Sequence, residues 1–140
     1  MKSSSELKYD NLYIGFKFPS VSCKLDREII SLYLKATEDE SSLYSDESIV
    51  PPMTVAIYGR LGYILDMTKF DFNLPKGLIH AKQMYKFNGI VKEKDVLTTY
   101  TEVVDRYTKN DRKYIIIEMI TKNKKKEIVI IGRMTIIWTV

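Results

Sequence analysis

The chain has one cysteine and one histidine, Cys23 and His80. A lone cysteine excludes an internal disulfide framework, and without a C-x-x-C pair or a second histidine the residues for a Cys/His metal site are missing. No metal is expected, and Cys23 reads as a buried, inert thiol. Nor is there an apolar stretch of the roughly 20 residues that a membrane-spanning helix requires, so no membrane partner is expected. Met1 to Lys8 are polar and lack the apolar run of a secretory signal. A cytoplasmic location is expected, with residues 1–8 a mobile N-terminus. Low-complexity tracts and internal repeats are also absent. What remains is a chain of 140 residues, 45% of them hydrophobic, enough for one domain spanning residues 1–140 with a real core.

Charge is uneven. The formal balance is +4 and the isoelectric point is near 9.0, which fits nucleic acid, an acidic carrier protein or a phosphate-bearing cofactor as partner. The excess is local: Lys122, Lys124, Lys125 and Lys126 crowd one hairpin turn, which reads as a solvated turn. No nucleic-acid module accompanies them, so nucleic acid is not expected.

The segment from Val50 to Leu65 organises the rest. Pro52 suits the first helical position, where a missing N–H has no intrahelical acceptor to lose. From Met53 to Leu65 only Thr54 and Arg60 are strongly polar. A helix apolar nearly all round must be buried, and at this length the material that buries it is protein.

Around this helix the sequence predicts five strands. Leu12 to Phe18 is β-branched and aromatic enough for the first, with Pro19 stopping it. A helix follows, capped by Asp26 accepting from Ile29 N–H, with Leu25 and Ile30 spaced as a hydrophobic staple. Ile29, Ile30, Tyr33 and Ala36 share one face of it, so it is amphipathic and lies on the surface. Thr37 to Ser48 is acidic and rich in turn formers, a loop of the kind that carries chemistry. Met67 to Gly77 reads as a crossing connection. Four strands then follow: Leu78 to Phe87, ending at the Asn88-Gly89 turn signal, Val96 to Thr108, Arg112 to Thr121 and Glu127 to Thr139. The last two are continuously apolar, as in central strands covered on both faces, and Gly132 marks a bend or bulge. The fold class is α+β, an antiparallel five-stranded sheet wrapped around a buried central helix.

Several strings occur in a telling order. Ala36-Thr37-Glu38-Asp39, Leu43-Tyr44 and Ile49-Val50-Pro51-Pro52-Met53-Thr54 are followed by Leu78-Ile79-His80-Ala81-Lys82-Gln83 and Lys94-Asp95-Val96-Leu97-Thr98. Together they resemble the MaoC-like branch of the hot-dog superfamily, hydratases and dehydratases of acyl thioesters, over most of the chain. The resemblance implies an acyl-CoA or acyl-carrier thioester as substrate or ligand and no further cofactor.

Catalytic members use an Asp and a His five residues apart within an Asp-x-Asn-Pro-x-His type motif. Hydration of an enoyl thioester needs a base for water and an acid for the α-carbon, with N–H groups at a helix start holding the thioester oxygen. Asp39 stands at the family's Asp, Tyr44 stands at its His, and Ser41-Ser42 replace Asn-Pro. Tyrosine, with a reference pKa near 10, is a poor proton shuttle at neutral pH. Pro51 and Pro52 replace the Gly-containing segment at the helix start and supply no N–H, leaving Met53 or Thr54 as donors. This Pro-Pro form resembles the family's non-catalytic halves, which occur as a separate subunit or as an N-terminal repeat.

His80 matches a histidine found in those halves, where a structural role is expected, with catalysis the alternative. Asp39 reads either as a catalytic carboxylate or as a loop carboxylate bonded to nearby N–H groups. Val55, Tyr58 and Leu61 line either the acyl path or the core. The resemblance implies a homo- or heterodimer with another hot-dog subunit, one carrying the Asp and His pair. The leading expectation is an acyl-binding, structural subunit of a (3R)-hydroxyacyl-thioester dehydratase or enoyl hydratase. The alternatives are a self-sufficient homodimeric hydratase or thioesterase, and a non-catalytic acyl-CoA or acyl-carrier binder.

Overall fold

A computed structural model describes residues 5–45, 49–59, 72–73 and 75–139. In chain order these form β1 (Ser5–Glu6), a 3-10 turn (Tyr9–Asn11), β2 (Lys17–Lys24), α1 (Arg27–Ala36) and α2 (Ser42–Ser45). A 3-10 turn (Pro52–Thr54) then runs into α3 (Val55–Tyr58), followed by β3 (Phe72–Asn73), β4 (Ile79–Phe87), β5 (Val96–Lys109), β6 (Arg112–Lys122) and β7 (Ile128–Trp138). The five long strands make one antiparallel sheet in the order β2-β5-β6-β7-β4, and β1 pairs with β3 in parallel. The four C-terminal strands lie where the sequence puts them.

The first strand does not. Leu12 to Phe16 forms a turn instead, with Gly15 at φ +91°, and the strand starts at Lys17 and passes through Pro19. Proline is tolerated here because β2 is an edge strand, and the register with β5 slips between Phe18 and Val21, around the missing N–H. Near the N-terminus Ser5 and Glu6 pair with β3, Leu7 is buried and Tyr9 packs edge-on against Trp138.

Helix α1 forms as its sequence requires. Asp26 accepts from Ile29 N–H at 3.0 Å, and Leu25 and Ile30 are both buried in one cluster. Its C-terminus closes with paired bonds, Glu38 N–H to Lys35 O and Asp39 N–H to Leu34 O, with Glu38 at φ 53°. That is a Schellman closure with glutamate in the left-handed position usually held by glycine.

The sheet's inner face carries Leu97, Val103, Ile115, Ile117, Met119, Ile130 and Met134, all buried. Val55 and Tyr58 pack into the same interior, as does Ile30 of α1. Central burial is nonetheless one-sided. Thr54, Val55, Tyr58 and Gly59 are covered, but Pro52, Ala56 and Met53 (51% exposed) are not, so the expectation of burial all round fails in the described part of the helix. A single sheet can cover only the helix face turned toward it. The remainder of the expected helix, from Arg60 to Leu65, lies outside the described residues. So does the connection over residues 67–77, apart from β3 and the segment from Pro75.

Two further expectations change. Strands β6 and β7 have neighbours on both sides, but their outer face is covered only in part: Ile115, Ile117 and Met119 are buried on the inner face, while on the outer face Ile137 is buried and Tyr114, Ile116 and Ile120 are half-buried. Gly132 is not a bulge, since it pairs in register with Tyr85 and Met119. A Cβ there would stand 3.1 Å from Met119 Cε and 3.2 Å from two Tyr85 ring carbons. The glycine makes room for a tyrosine ring crossing the strand.

Candidate active site

The Asp39–Tyr44 loop leaves the end of α1 and is tied back to it. Arg27, in the first turn of α1, donates from Nη1 to Tyr44 O at 3.2 Å. The same guanidinium donates from Nε and Nη2 to Glu93 Oε2, at 3.1 and 2.7 Å. Glu93 lies on the loop between β4 and β5, and one residue pair upstream on that loop Val50 N–H donates to Val91 O at 3.0 Å. One arginine and one backbone bond thus gather the Asp39–Tyr44 loop, the lead-in to the central helix and the β4–β5 loop at one end of the sheet. Neither Arg27 nor Glu93 stands out in the sequence, because the partners are far apart in the chain and belong to no periodic pattern.

Within this end the expected groups are placed as follows. Asp39 is partly buried, and its Oδ1 accepts from Ser41 N–H at 2.9 Å. The carboxylate therefore closes its own loop. Tyr44 stands on α2, partly buried. At the helix start, Pro51 and Pro52 have no N–H to offer. Thr54 spends both donors on one acceptor: its N–H and its Oγ1 reach Pro51 O at 3.0 and 2.6 Å. Met53 is exposed beside them.

His80 is not brought to this place. It is exposed on β4, with Nε2 3.1 Å from Gln83 Oε1, and it pairs with Ile136. The Val50–Val91 junction lies beyond the other end of that strand. At about 3.3 Å per residue, His80 stands roughly 20 Å from it along the sheet.

An apolar cleft of about 290 Å³ opens at the loop-bearing end. Ile49, Val50 and Pro52 form one wall, and Phe87, Ile90 and Val91 the other. Tyr58 closes the back, whereas Val55 is wholly in the core. Leu61 lies outside the described residues. Burial, aided by the neighbouring Tyr85 phenol, pushes the Tyr58 phenol well above the usual tyrosine range. Tyr58 is neutral across the physiological range and acts as an apolar wall with a hydroxyl. Its backbone carbonyl accepts from Thr99 Oγ1 at 3.1 Å, and Thr99 shares a 2.8 Å hydrogen bond with Thr121. This buried polar pair pins α3 to β5 and β6. Among the described residues no group of three or more His, Cys, Asp or Glu side chains could hold a metal ion.

A five-stranded antiparallel sheet curled around a helix, with a loop from α1 leading to the helix start, defines a hot-dog domain of the MaoC-like hydratase and dehydratase type. Residues 13–131 match the family described as the FAS1-like dehydratase domain region, and the chain belongs to that family. Solved structures share the fold. The MaoC-like dehydratase from Rhodospirillum rubrum is 18% identical, with 94% of this chain and 95% of that one covered at a TM-score of 0.71. The R-hydratase PhaJ1 from Pseudomonas aeruginosa is 19% identical, covering 91% and 83% at 0.69. The HadBC (3R)-hydroxyacyl-ACP dehydratase complex from Mycobacterium tuberculosis is 16% identical, covering 89% and 96% at 0.70. No curated protein matches the chain by sequence.

Proposed function

We propose that this chain is the non-catalytic, acyl-binding subunit of a (3R)-hydroxyacyl-thioester dehydratase or enoyl-thioester hydratase, working beside a hot-dog partner that carries the Asp and His pair. The observation that carries this reading is the state of the loop dyad. Asp39 is turned onto Ser41 N–H, position 44 holds tyrosine, and the nearest imidazole stands at the far end of β4. A hydration step needs a base and an acid, and this loop holds one carboxylate, already hydrogen-bonded within the loop, and no imidazole. The helix start is equally short of oxyanion donors, since two residues are prolines and Thr54 is bonded to Pro51 O.

What the chain does offer is the apolar cleft, which supports binding of the acyl part of a CoA or carrier thioester with no further cofactor. The half-covered outer face of the sheet and the exposed face of α3 support pairing with a second hot-dog subunit. Nucleic acid and membrane have no part in this reading, and the cytoplasm is its setting. The test is to purify the chain alone and with the hot-dog protein that co-purifies from its native cell, and to assay hydration of crotonyl-CoA. Activity confined to the complex supports the proposal. Turnover by the lone chain overturns it in favour of a self-sufficient enzyme, and an inactive complex that still binds crotonyl-CoA overturns it in favour of an acyl-binding protein.

A further inference from the structure

The side chains on the half-covered outer face of the sheet fall in rows that cross the strands in register. Strand β5 contributes Tyr100, Glu102 and Asp105, and β6 sets Ile120, Glu118 and Ile116 beside them. In the same rows β7 holds Ile131, Arg133 and Thr135, and the edge strand β4 holds Lys86, Met84 and Lys82. A further row runs Tyr107, Tyr114, Ile137 and Ile79, with the two tyrosine rings stacked at 4.7 Å between centroids. Tyr100, Tyr107, Ile79 and Met84 are 38% to 49% exposed. The β5 side of this face is therefore acidic and the β4 side basic, with apolar side chains throughout. Two cations approach the acidic side from its margins: Lys17 stands beside Glu102 on β2, and Lys122 lies one row beyond Tyr100, with Nζ 5.5 Å from its ring.

We propose that this face docks a second copy of the same chain, the two sheets lying back to back about a two-fold axis that runs along the strands between β6 and β7. Rotation about that axis exchanges β6 with the copy's β7 and β5 with the copy's β4, and each row keeps its place. Glu118 then faces the copy's Arg133. Since Glu118 and Arg133 already pair within one chain at 2.7 Å, the four groups close a ring of alternating sign. Glu102 and Asp105 meet the strand that carries the copy's Lys82 and Lys86, Ile120 meets Ile131, and Tyr107 meets Ile79.

The charges select this axis over its alternatives. An axis between β5 and β6 sets Glu102 on the copy's Glu118, whereas an axis on β6 or on β7 sets Glu118 or Arg133 on its own image. An axis across the strands does the same to the whole charged row, or lays that row on the isoleucines of the next. Like charges face to face oppose association, and opposite charges favour one orientation. With strands about 4.8 Å apart and rows about 6.8 Å apart, the patch measures roughly 19 by 27 Å. Two such faces cover about 1,000 Å², the size at which an interface becomes specific. The inference goes beyond the proposed function and does not rest on it: the cleft, α3 and the free edge of β4 lie away from this face and stay open to a catalytic partner.

The experiment reads self-association of the purified chain by sedimentation equilibrium at low and at physiological ionic strength. The wild-type chain is expected to associate, more weakly as salt rises. Glu102→Lys with Asp105→Lys makes both sides of the face basic, and Lys82→Glu with Lys86→Glu makes both acidic. Each is expected to weaken association at least about tenfold. Mixed together, the two variants are expected to pair within about threefold of the wild-type affinity, because each reversed β5 then meets a reversed β4 and each native β5 a native β4. Recovery on mixing also shows that both variants are folded. A second readout needs no variant. Within one chain the β5 carboxylates and the β4 lysines are three strand spacings apart, roughly 14 Å, too far for a direct amide bond. Carbodiimide cross-links from Glu102 or Asp105 to Lys82 or Lys86, in a mixture of light and heavy-isotope chains, are therefore expected between copies only.

A chain that stays monomeric at every concentration, charge variants that associate like the wild type, or a mixture no tighter than either variant alone overturns the proposal. So do cross-links from these lysines to a different hot-dog subunit in place of a copy, which give the face to that subunit. The two readings fail separately. A complex inactive on crotonyl-CoA sinks the dehydratase reading and leaves the docking of copies standing, and an active complex whose chain does not self-associate through this face does the reverse.

Discussion

At the scale of single residues, the consequential positions are those where a small change of atoms alters what a neighbour can do. Gly132 is one. Adding a methyl group there presses on Met119 and on the Tyr85 ring, so Gly132→Ala should destabilise the domain by about 1–3 kcal/mol, the usual range for overpacking, read as a lowered denaturant midpoint with unchanged m-value. Asp39 is the reverse case. Because its carboxylate bonds Ser41 N–H and an Asn side-chain oxygen can accept the same bond, Asp39→Asn should change turnover of any complex containing this chain by no more than about twofold or threefold. A hundredfold loss with the fold intact would mean that Asp39 takes part in proton transfer. Tyr58 predicts a pH effect. Its phenol keeps its proton in the folded chain beyond the pH, near 10, at which the unfolded chain loses it. The folded state then binds more protons than the unfolded one, so stability is full below that pH and falls as pH rises above it. Thermal melts from pH 8 to 11 should show this decline, and Tyr58→Phe should make it shallower, leaving the smaller share from Tyr85, which burial also raises.

At the scale of elements, α3 is the piece whose burial decides whether the sheet has a core. Val55 is 1% exposed among Leu25, Ile30 and Leu97, so Val55→Asp leaves an unpaired charge in an apolar interior, a loss of several kcal/mol that approaches the whole stability of a domain. Native-like circular dichroism and a cooperative melt for that variant would contradict the placement. The elements differ in how well the sequence reveals them, and for identifiable reasons. Strands β5 to β7 and helix α1 carry their own local signals: long β-branched runs, Asn110-Asp111 with both residues at positive φ in the turn, and Asp26 at the cap. Strand β2 was misplaced because Pro19 reads as a stop unless one knows that the strand lies at the sheet's edge, which is a fact of topology. The site was legible as far as residue identities go, since Asp39, Tyr44 and the two prolines need only be read. Its geometry was not. The Arg27–Glu93 pair joins residues brought together by packing, and Phe87, Ile90 and Val91 become a cleft wall only when the β4–β5 loop meets the helix start.

At the scale of the whole molecule, the two edges of the sheet are unlike each other. Both edge strands carry a register slip, but β2 is interrupted by Pro19, which discourages pairing, while β4 offers nine residues without proline and leaves Ile79, Met84 and Phe87 exposed. An open apolar edge, a half-covered outer face and a helix bare on one side would all be covered by the subunits proposed above, and the deficits of the site would be met by the one that carries the missing imidazole. This yields a prediction about the isolated chain that depends on counting proton-transfer and oxyanion groups. Asp39 is engaged in its loop and position 44 holds tyrosine rather than an imidazole, and loss of even one oxyanion donor typically lowers kcat by about a hundredfold to a thousandfold. Both deficits act on the same transition state. Purified alone, the chain should therefore give no measurable hydration of crotonyl-CoA, and Tyr44→His should restore little, because Pro51, Pro52 and the Thr54–Pro51 bonds would still leave the thioester oxygen short of donors. Adding the partner with an intact Asp and His pair should bring activity to the wild-type chain and to Asp39→Asn alike. Robust turnover by the lone chain that disappears in Asp39→Asn would place the chemistry on this subunit after all.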